Sequence, residues 1–234
     1  MKSKVILLLF IFLFLNVKSQ VNKTTFGLQY KPIIPNGYFK SNNLIRNLDN
    51  YEFNLNTRYS YSYGMVIRYE INKTFSTESG LNYIQRNFSL DINNNIDLDD
   101  ITIFGLRSYE LPVQLLAYVQ TTKKWYLNAS FGTSYNILAS NIFSYGEKDQ
   151  NYFQNTYRQN EKYWALLANL GMEYRTEKNG NYYIGTSLHR PWKVIGRIIP
   201  EYNNTALSIN EEKEFSLNLV GNFITLDLRY FFSK

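Results

Sequence analysis

The sequence predicts an all-β fold: an eight-stranded antiparallel up-and-down transmembrane β-barrel, preceded by a cleavable signal peptide. Three observations predict it. A basic amino terminus leads into a short apolar run, polar and apolar residues alternate over segments longer than globular strands, and the chain is unusually aromatic. The aromatic excess, 21 Tyr and 16 Phe against 12 Gly and 5 Pro, is more ring surface than a soluble core of this size needs. Rings with an apolar body and a polar tip are at home at a bilayer interface.

The chain begins Met1-Lys2-Ser3-Lys4, continues apolar from Val5 to Leu15, and exits through Asn16-Val17-Lys18-Ser19-Gln20. This is the charged, apolar and small-residue sequence of a secretory signal, with cleavage expected after Ser19. Residues 20–234 are then one outer-membrane barrel domain. The apolar run is too short for the roughly 20 residues that a membrane-crossing helix needs. The chain has no cysteine, which excludes a lipid-modified amino-terminal Cys, disulfides, thiol catalysis and Cys-ligated metals. Removing Lys2, Lys4 and Lys18 takes the net charge from +6 to +3, and no basic stripe remains to suggest nucleic acid.

The strands follow in order. Thr24 to Lys31 alternates and is the first. From Tyr59 to Ile71, Tyr59, Tyr61, Tyr63, Met65, Ile67 and Tyr69 share one parity, while Ser60, Ser62, Gly64, Val66, Arg68 and Glu70 share the other. Such a strand is about twice the globular norm, whereas a tilted membrane strand needs roughly 9–11 residues. After the turn at Asn72, Phe75 to Arg86 repeats the pattern and makes a hairpin. A polar loop from Asp91 to Asp100 leads to a strand around Tyr109 to Val119, which Pro112 weakens because proline cannot donate to a ladder. Trp125 to Asn136, Ala168 to Arg175, Tyr182 to His189 and Ile224 to Phe232 complete the eight. Leu217 and Leu219 fall on the opposite parity from the last strand, so that strand either carries a bulge near Gly221-Asn222 or starts later.

Links at Asn72, Gln120 and Glu177 are short, while those at 33–58, 91–102, 141–162 and 191–214 are longer. Outer-membrane barrels have this asymmetry, with turns in the periplasm and loops outside.

With the strands placed, the chain resembles the PorT-like outer-membrane β-barrel families of Bacteroidota. The resemblance is carried by Glu78-Ser79-Gly80-Leu81-Asn82-Tyr83-Ile84-Gln85-Arg86, by Tyr109-Glu110-Leu111-Pro112-Val113-Gln114-Leu115-Leu116, and by the aromatic ending Tyr230 to Phe232. It covers most of residues 20–234. It implies an outer-membrane location and handling by the barrel-assembly machinery, which the terminal aromatics look suited to engage. A part in secretion or envelope assembly would follow from the resemblance alone, since these motifs describe barrel construction rather than an activity.

The inward parity carries Arg68, Glu70, Glu78, Arg86, Glu110, Glu173, Arg175, Asp227 and Arg229, expected to pair across neighbouring strands as a structural charge network. An eight-stranded interior is just wide enough for side chains to fill, so a plugged lumen is expected. Tyr59, Tyr61, Tyr63, Tyr69, Tyr83, Tyr174, Tyr230 and Phe232 are expected to face lipid. The lone histidine, His189, shares its parity with Ser187, and with Glu173 or Asp227 could be imagined as a lipid hydrolase site. A lone His at a strand end is more often a satisfied polar residue. Asp91, Asn93, Asn95, Asp97 and Asp99 are spaced like a calcium loop, but Ile96 stands in the glycine position and Thr102 in place of the bidentate Glu. No metal, cofactor or catalytic group is expected. The asparagine sequons are a by-product of an Asn-rich sequence.

The reading is therefore a non-enzymatic outer-membrane barrel, surrounded by lipid, whose external loops contact another envelope component or a ligand. A small pore and the Ser187/His189 hydrolase are the alternatives. A soluble sandwich or lipocalin-like barrel is the structural rival, but it would have to bury the tyrosine stripe and find partners for its hydroxyls.

Overall fold

A computed structural model describes residues 23–35, 44–48, 50–94, 98–202, 205–206, 208–210 and 213–233; the segment expected to be a signal peptide lies outside them. Seventeen strands run in chain order: β1 (Lys23–Ile34), β2 (Leu44–Leu48), β3 (Tyr51–Thr57), β4 (Ser60–Glu70), β5 (Phe75–Asn93), β6 (Asp99–Gln120), β7 (Trp125–Leu138), β8 (Ile142–Tyr145), β9 (Tyr152–Arg158), β10 (Lys162–Arg175), β11 (Asn181–Pro191), β12 (Gly196–Tyr202), β13 (Thr205–Ala206), β14 (Ser208–Asn210), β15 (Lys213–Glu214), β16 (Leu217–Leu219) and β17 (Phe223–Phe231). No helix among the described residues is long and apolar enough to cross a membrane.

Eight of these strands form a closed ring in the order β5-β4-β1-β17-β11-β10-β7-β6, with β6 pairing back onto β5. Every ring contact is antiparallel. First and last strands meet side by side, Gly27 opposite Phe231, so closure leaves no open edge. Tight turns join the strands at one end. Asn72 accepts the backbone N–H groups of Thr74 and Phe75 at 2.8 Å each. Thr176 donates to the Gly180 carbonyl at 2.6 Å, and Gly180 adopts φ 75°, a conformation suited to glycine.

Outside the ring, the alternation becomes an exposed apolar wall. On β4, Tyr63, Met65, Ile67 and Tyr69 are exposed while Ser60, Ser62 and Arg68 are buried. Aromatic residues cluster at two heights. Tyr59, Tyr63, Tyr83 and Tyr109 mark the loop end. Trp125, Tyr174, Tyr182, Tyr230 and Phe232 mark the turn end. Tyr61, Tyr83, Tyr174 and Tyr230 are half-buried rather than exposed because these rings lie against one another.

The links expected to be irregular at the loop end are strands. β5 runs to Asn93 and β6 starts at Asp99, which shortens the supposed polar loop at 91–100 to a hairpin tip. The β2–β3 hairpin adds to the upper part of β5, from Glu52 opposite Asn93 to Thr57 opposite Phe88. β8, β9, β12, β13 and β16 form a second sheet, fastened to β6 by Thr102 donating to the Ser144 hydroxyl at 2.8 Å. Together they make a cap with its own apolar core, including Phe53, Leu90, Ile92, Tyr152, Ile198 and Leu217.

Two irregularities of the sequence are resolved. Pro112 lies within β6 opposite Gly80, where the β5–β6 ladder lapses between Ser79↔Val113 and Asn82↔Glu110 without a change of register. β17 starts at Phe223, and Leu217 and Leu219 belong to β16. They share the inward parity of Phe223, Thr225 and Asp227 and are apolar because they face the cap core. No bulge is needed.

Candidate functional site

Among the described residues, polar side chains gather most densely in the lumen. Its centre is a continuous chain of ion pairs, Lys31–Asp227–Arg229–Glu78–Arg68–Glu173–Arg175. Lys31 Nζ stands 3.7 Å from Asp227 Oδ2. Arg229 donates from Nη2 to Asp227 Oδ2 at 2.6 Å and from Nη1 to Glu78 Oε2 at 2.7 Å. Arg68 Nε meets the other Glu78 oxygen at 2.8 Å, and its Nη1 reaches Glu173 Oε2 at 2.6 Å. Arg175 Nε closes the series on Glu173 Oε1 at 2.6 Å.

The route of these pairs differs from the expected pairing of neighbouring strands. Arg68–Glu78 does join adjacent β4 and β5. Arg68–Glu173 joins β4 to β10, which stand on opposite sides of the ring, and Arg229–Glu78 joins β17 to β5. Arginine is long enough to cross an eight-stranded interior, and its planar fork can serve two carboxylates at once. The guanidinium of Arg68 also lies 3.7 Å from the centroid of the Phe231 ring, and that of Arg229 lies 4.7 Å from Tyr183. Unpaired charges here would be costly, and pairing each guanidinium with a carboxylate offsets that cost.

Amides and hydroxyls fill what remains. Asp227 accepts from Asn169 at 3.1 Å, Ser187 at 2.6 Å and Thr225 at 2.5 Å. Asn82 donates to Glu110 Oε2 at 2.8 Å and accepts from Gln29. Tyr183 donates to Asn169. Gly171 and Gly185 face each other beneath that phenol, and a Cβ on either would come within 2.3 Å of its oxygen.

Of the nine charged residues singled out in the sequence, six lie in this chain of ion pairs. Glu110 sits apart, 3.5 Å from His189 Nε2. Glu70 is half-buried at the turn end opposite Lys23. Arg86 is buried with no carboxylate partner among the described residues. Lys31 was missed because it is the last residue of the expected first strand, Thr24 to Lys31, where no second charge marks the inner face. Asn82, Asn169 and Tyr183 were missed because neutral polar residues on an inward parity look like filler until the partner strands are known.

His189 and Ser187 are both buried or half-buried on β11, but they serve different partners. Ser187 donates to Asp227. The imidazole stacks on Phe223 at 4.3 Å and 9°, with ring nitrogens 3.3 Å from the Gly221 carbonyl and 3.4 Å from Asn136 Oδ1. The serine is thus held by a carboxylate, not by the imidazole that would have to deprotonate it. Among the described residues no group of His, Cys, Asp and Glu could hold a metal ion. In the acidic loop, Asp91 accepts from Asn56 and Asp99 pairs with Lys148, while residues 95–97 lie outside the described residues.

Above the ion pairs, Ile33, Ile84 and Phe223 form a small apolar septum. Above that comes the cap core, where Tyr152 donates to the Leu90 carbonyl at 3.2 Å. Burial raises the Tyr152 hydroxyl well above the usual phenol range.

No family model and no curated protein matches the chain. Among solved structures it is similar to the outer membrane protein OprG from Pseudomonas aeruginosa, with 13% identity over 90% of this chain and 95% of that one and a TM-score of 0.50. The Escherichia coli Outer Membrane Protein W is 12% identical over 91% of this chain and 99% of its own, with a TM-score of 0.36. The likeness to OprG is one of fold: the chain has the fold of an outer-membrane β-barrel.

Proposed function

We propose that the protein is a non-enzymatic outer-membrane barrel whose membrane part is a sealed anchor and whose cap is the working surface. On this reading the cap lies outside the cell and contacts an envelope component or ligand. The observation that supports a seal is the filling of the interior from the turn end to the loop end. A continuous set of ion pairs crosses the lumen, an apolar septum lies above it, and an apolar cluster lies at the loop end. The strand motifs that resemble PorT-like barrels support an envelope or secretion-associated role. The cap contributes exposed aromatics, Phe143 and Tyr145 among them, as contact surface.

The test is conductance. The refolded protein in planar bilayers is expected to give no steady channels, whereas Glu78→Ala with Glu173→Ala is expected to open intermittent ones. Steady conductance from the unaltered protein would replace this reading with the pore. Its outer-membrane anchorage is checked by heat-modifiable migration of the membrane-extracted protein. Unchanged lipid A after Ser187→Ala and His189→Ala is expected, and a changed profile would restore the hydrolase.

A further inference from the structure

We infer that Arg86 is the base of an anion-binding site, built to take a phosphoryl or carboxylate group at the height of the loop-end aromatic belt. The inference is independent of what the cap contacts.

Four cations are buried in the barrel among the described residues. Lys31, Arg68 and Arg229 each have a carboxylate within ion-pair distance, and Arg86, at 4% exposure, has none. Its Nη1 reaches only the Val220 carbonyl, at 3.4 Å, and Nη2 has no hydrogen-bond partner. Guanidinium does not shed its proton in proteins, so this charge cannot be neutralised from within. The rings of Phe88 and Phe223, 5.7 and 5.8 Å from its central carbon, compensate only in part. A buried ion is costly when unpaired, which makes a missing counter-ion the expected complement.

A cavity of about 30 Å³ adjoins this guanidinium, with Ser60, Asn222 and Phe223 on its walls and Ile34, Pro35 and Arg58 in its lining. It holds one water or one oxygen of an anion. The wall is interrupted here. β3 gives way to β4 at Arg58-Tyr59, and the bend is pinned by Asn87, which donates to the Tyr59 carbonyl at 2.8 Å and from its N–H to the Ser60 hydroxyl at 2.9 Å. Arg58 adds a second cation to the lining, although its field also reaches Asp91. Tyr59 follows it in the chain and is 60% exposed on the outer face. A belt tyrosine at that position puts the opening at headgroup height. An oxyanion entering there would meet Arg58 and end against the free Nη2 of Arg86, as a charge-assisted hydrogen bond requires.

The full chain in phosphatidylcholine nanodiscs provides the test, with the unfolding midpoint read by heat-modifiable migration and bound lipid read by native mass spectrometry. Inorganic phosphate is titrated in one arm, and phosphatidic acid is mixed into the bilayer in the other. The expected result is a rise in midpoint in at least one arm, with affinity at least tenfold weaker in Arg86→Gln. A response to phosphatidic acid alone assigns the group to a lipid headgroup; a response to inorganic phosphate, with or without one to phosphatidic acid, assigns it to a free anion. Arg86→Met is expected to be more stable than the unaltered protein in plain phosphatidylcholine and to gain nothing from either anion. No response in the unaltered protein, or an equal one in Arg86→Gln, overturns the site. If the Arg86 variants do not refold, Arg58→Gln decides: a response several-fold weaker supports the site, and an unchanged one overturns it.

Discussion

Glu78 and Leu90 both point inward from the same strand, β5, yet one is a carboxylate gripped by two guanidiniums and the other a side chain with no exposure in an apolar core. The outward parity inverts at the same height, from Leu81 and Tyr83 to Gln85, Asn87 and Asp91. Below Tyr83 the exposed face is apolar and the polar groups lie inside, the arrangement that a solvent of hydrocarbon would require. Above it, the ordinary rule of apolar inside and polar outside returns. One pleated strand serves both because its period of two is indifferent to which face meets lipid.

The largest expected effect comes from breaking the lower half. Glu78→Gln leaves Arg68 and Arg229 under-compensated and should cost about 3–5 kcal/mol in urea unfolding of the refolded barrel. A loss below about 1 kcal/mol would mean that the lumen admits enough water to solvate them. Breaking the upper half should be local: Leu90→Ala is expected to cost about 2–5 kcal/mol. Limited proteolysis should then cut the cap while the barrel keeps its compact migration. If barrel and cap are lost together, the two regions are one cooperative unit.

The inversion itself is tested by placing the same charge at two heights on the outward face of β6. Val113→Arg, in the hydrocarbon band, should cost about 2–4 kcal/mol. Ile103→Arg, above it, should change stability by no more than about 0.5 kcal/mol. Equal costs would remove the proposed boundary. The smallest effect concerns pH. The Tyr152 phenol holds its proton more tightly folded than unfolded, so its contribution is present below pH 10 and fades as pH rises beyond the ordinary phenol value. Tyr152→Phe should remove that part of the alkaline sensitivity of the cap, read by protease resistance above pH 10.

Much of the lower half was legible. The parity of Tyr59 to Ile71 placed Arg68 inside and the tyrosines outside, and short turns at Asn72 and Glu177 placed the hairpins. Local pattern suffices there, because one rule holds for every residue of a face, apolar outside and polar inside. The upper half was read as polar loops because its strands are short and pair non-locally: β12 meets β9 and β16 across long separations in sequence. Leu217 and Leu219 show the difficulty well, since their parity was right but their hydrophobicity obeyed the cap's rule rather than the barrel's.

The sequence by itself determined the strand period, the eight crossings and the sign of each face, since all three follow from side-chain chemistry repeated at fixed spacing. Only the tertiary structure decided which charges meet. Closing the ring brings β4 opposite β10 and leaves Arg86 between the septum and the cap, and such distances across a barrel depend on how every strand is placed, not on any one of them.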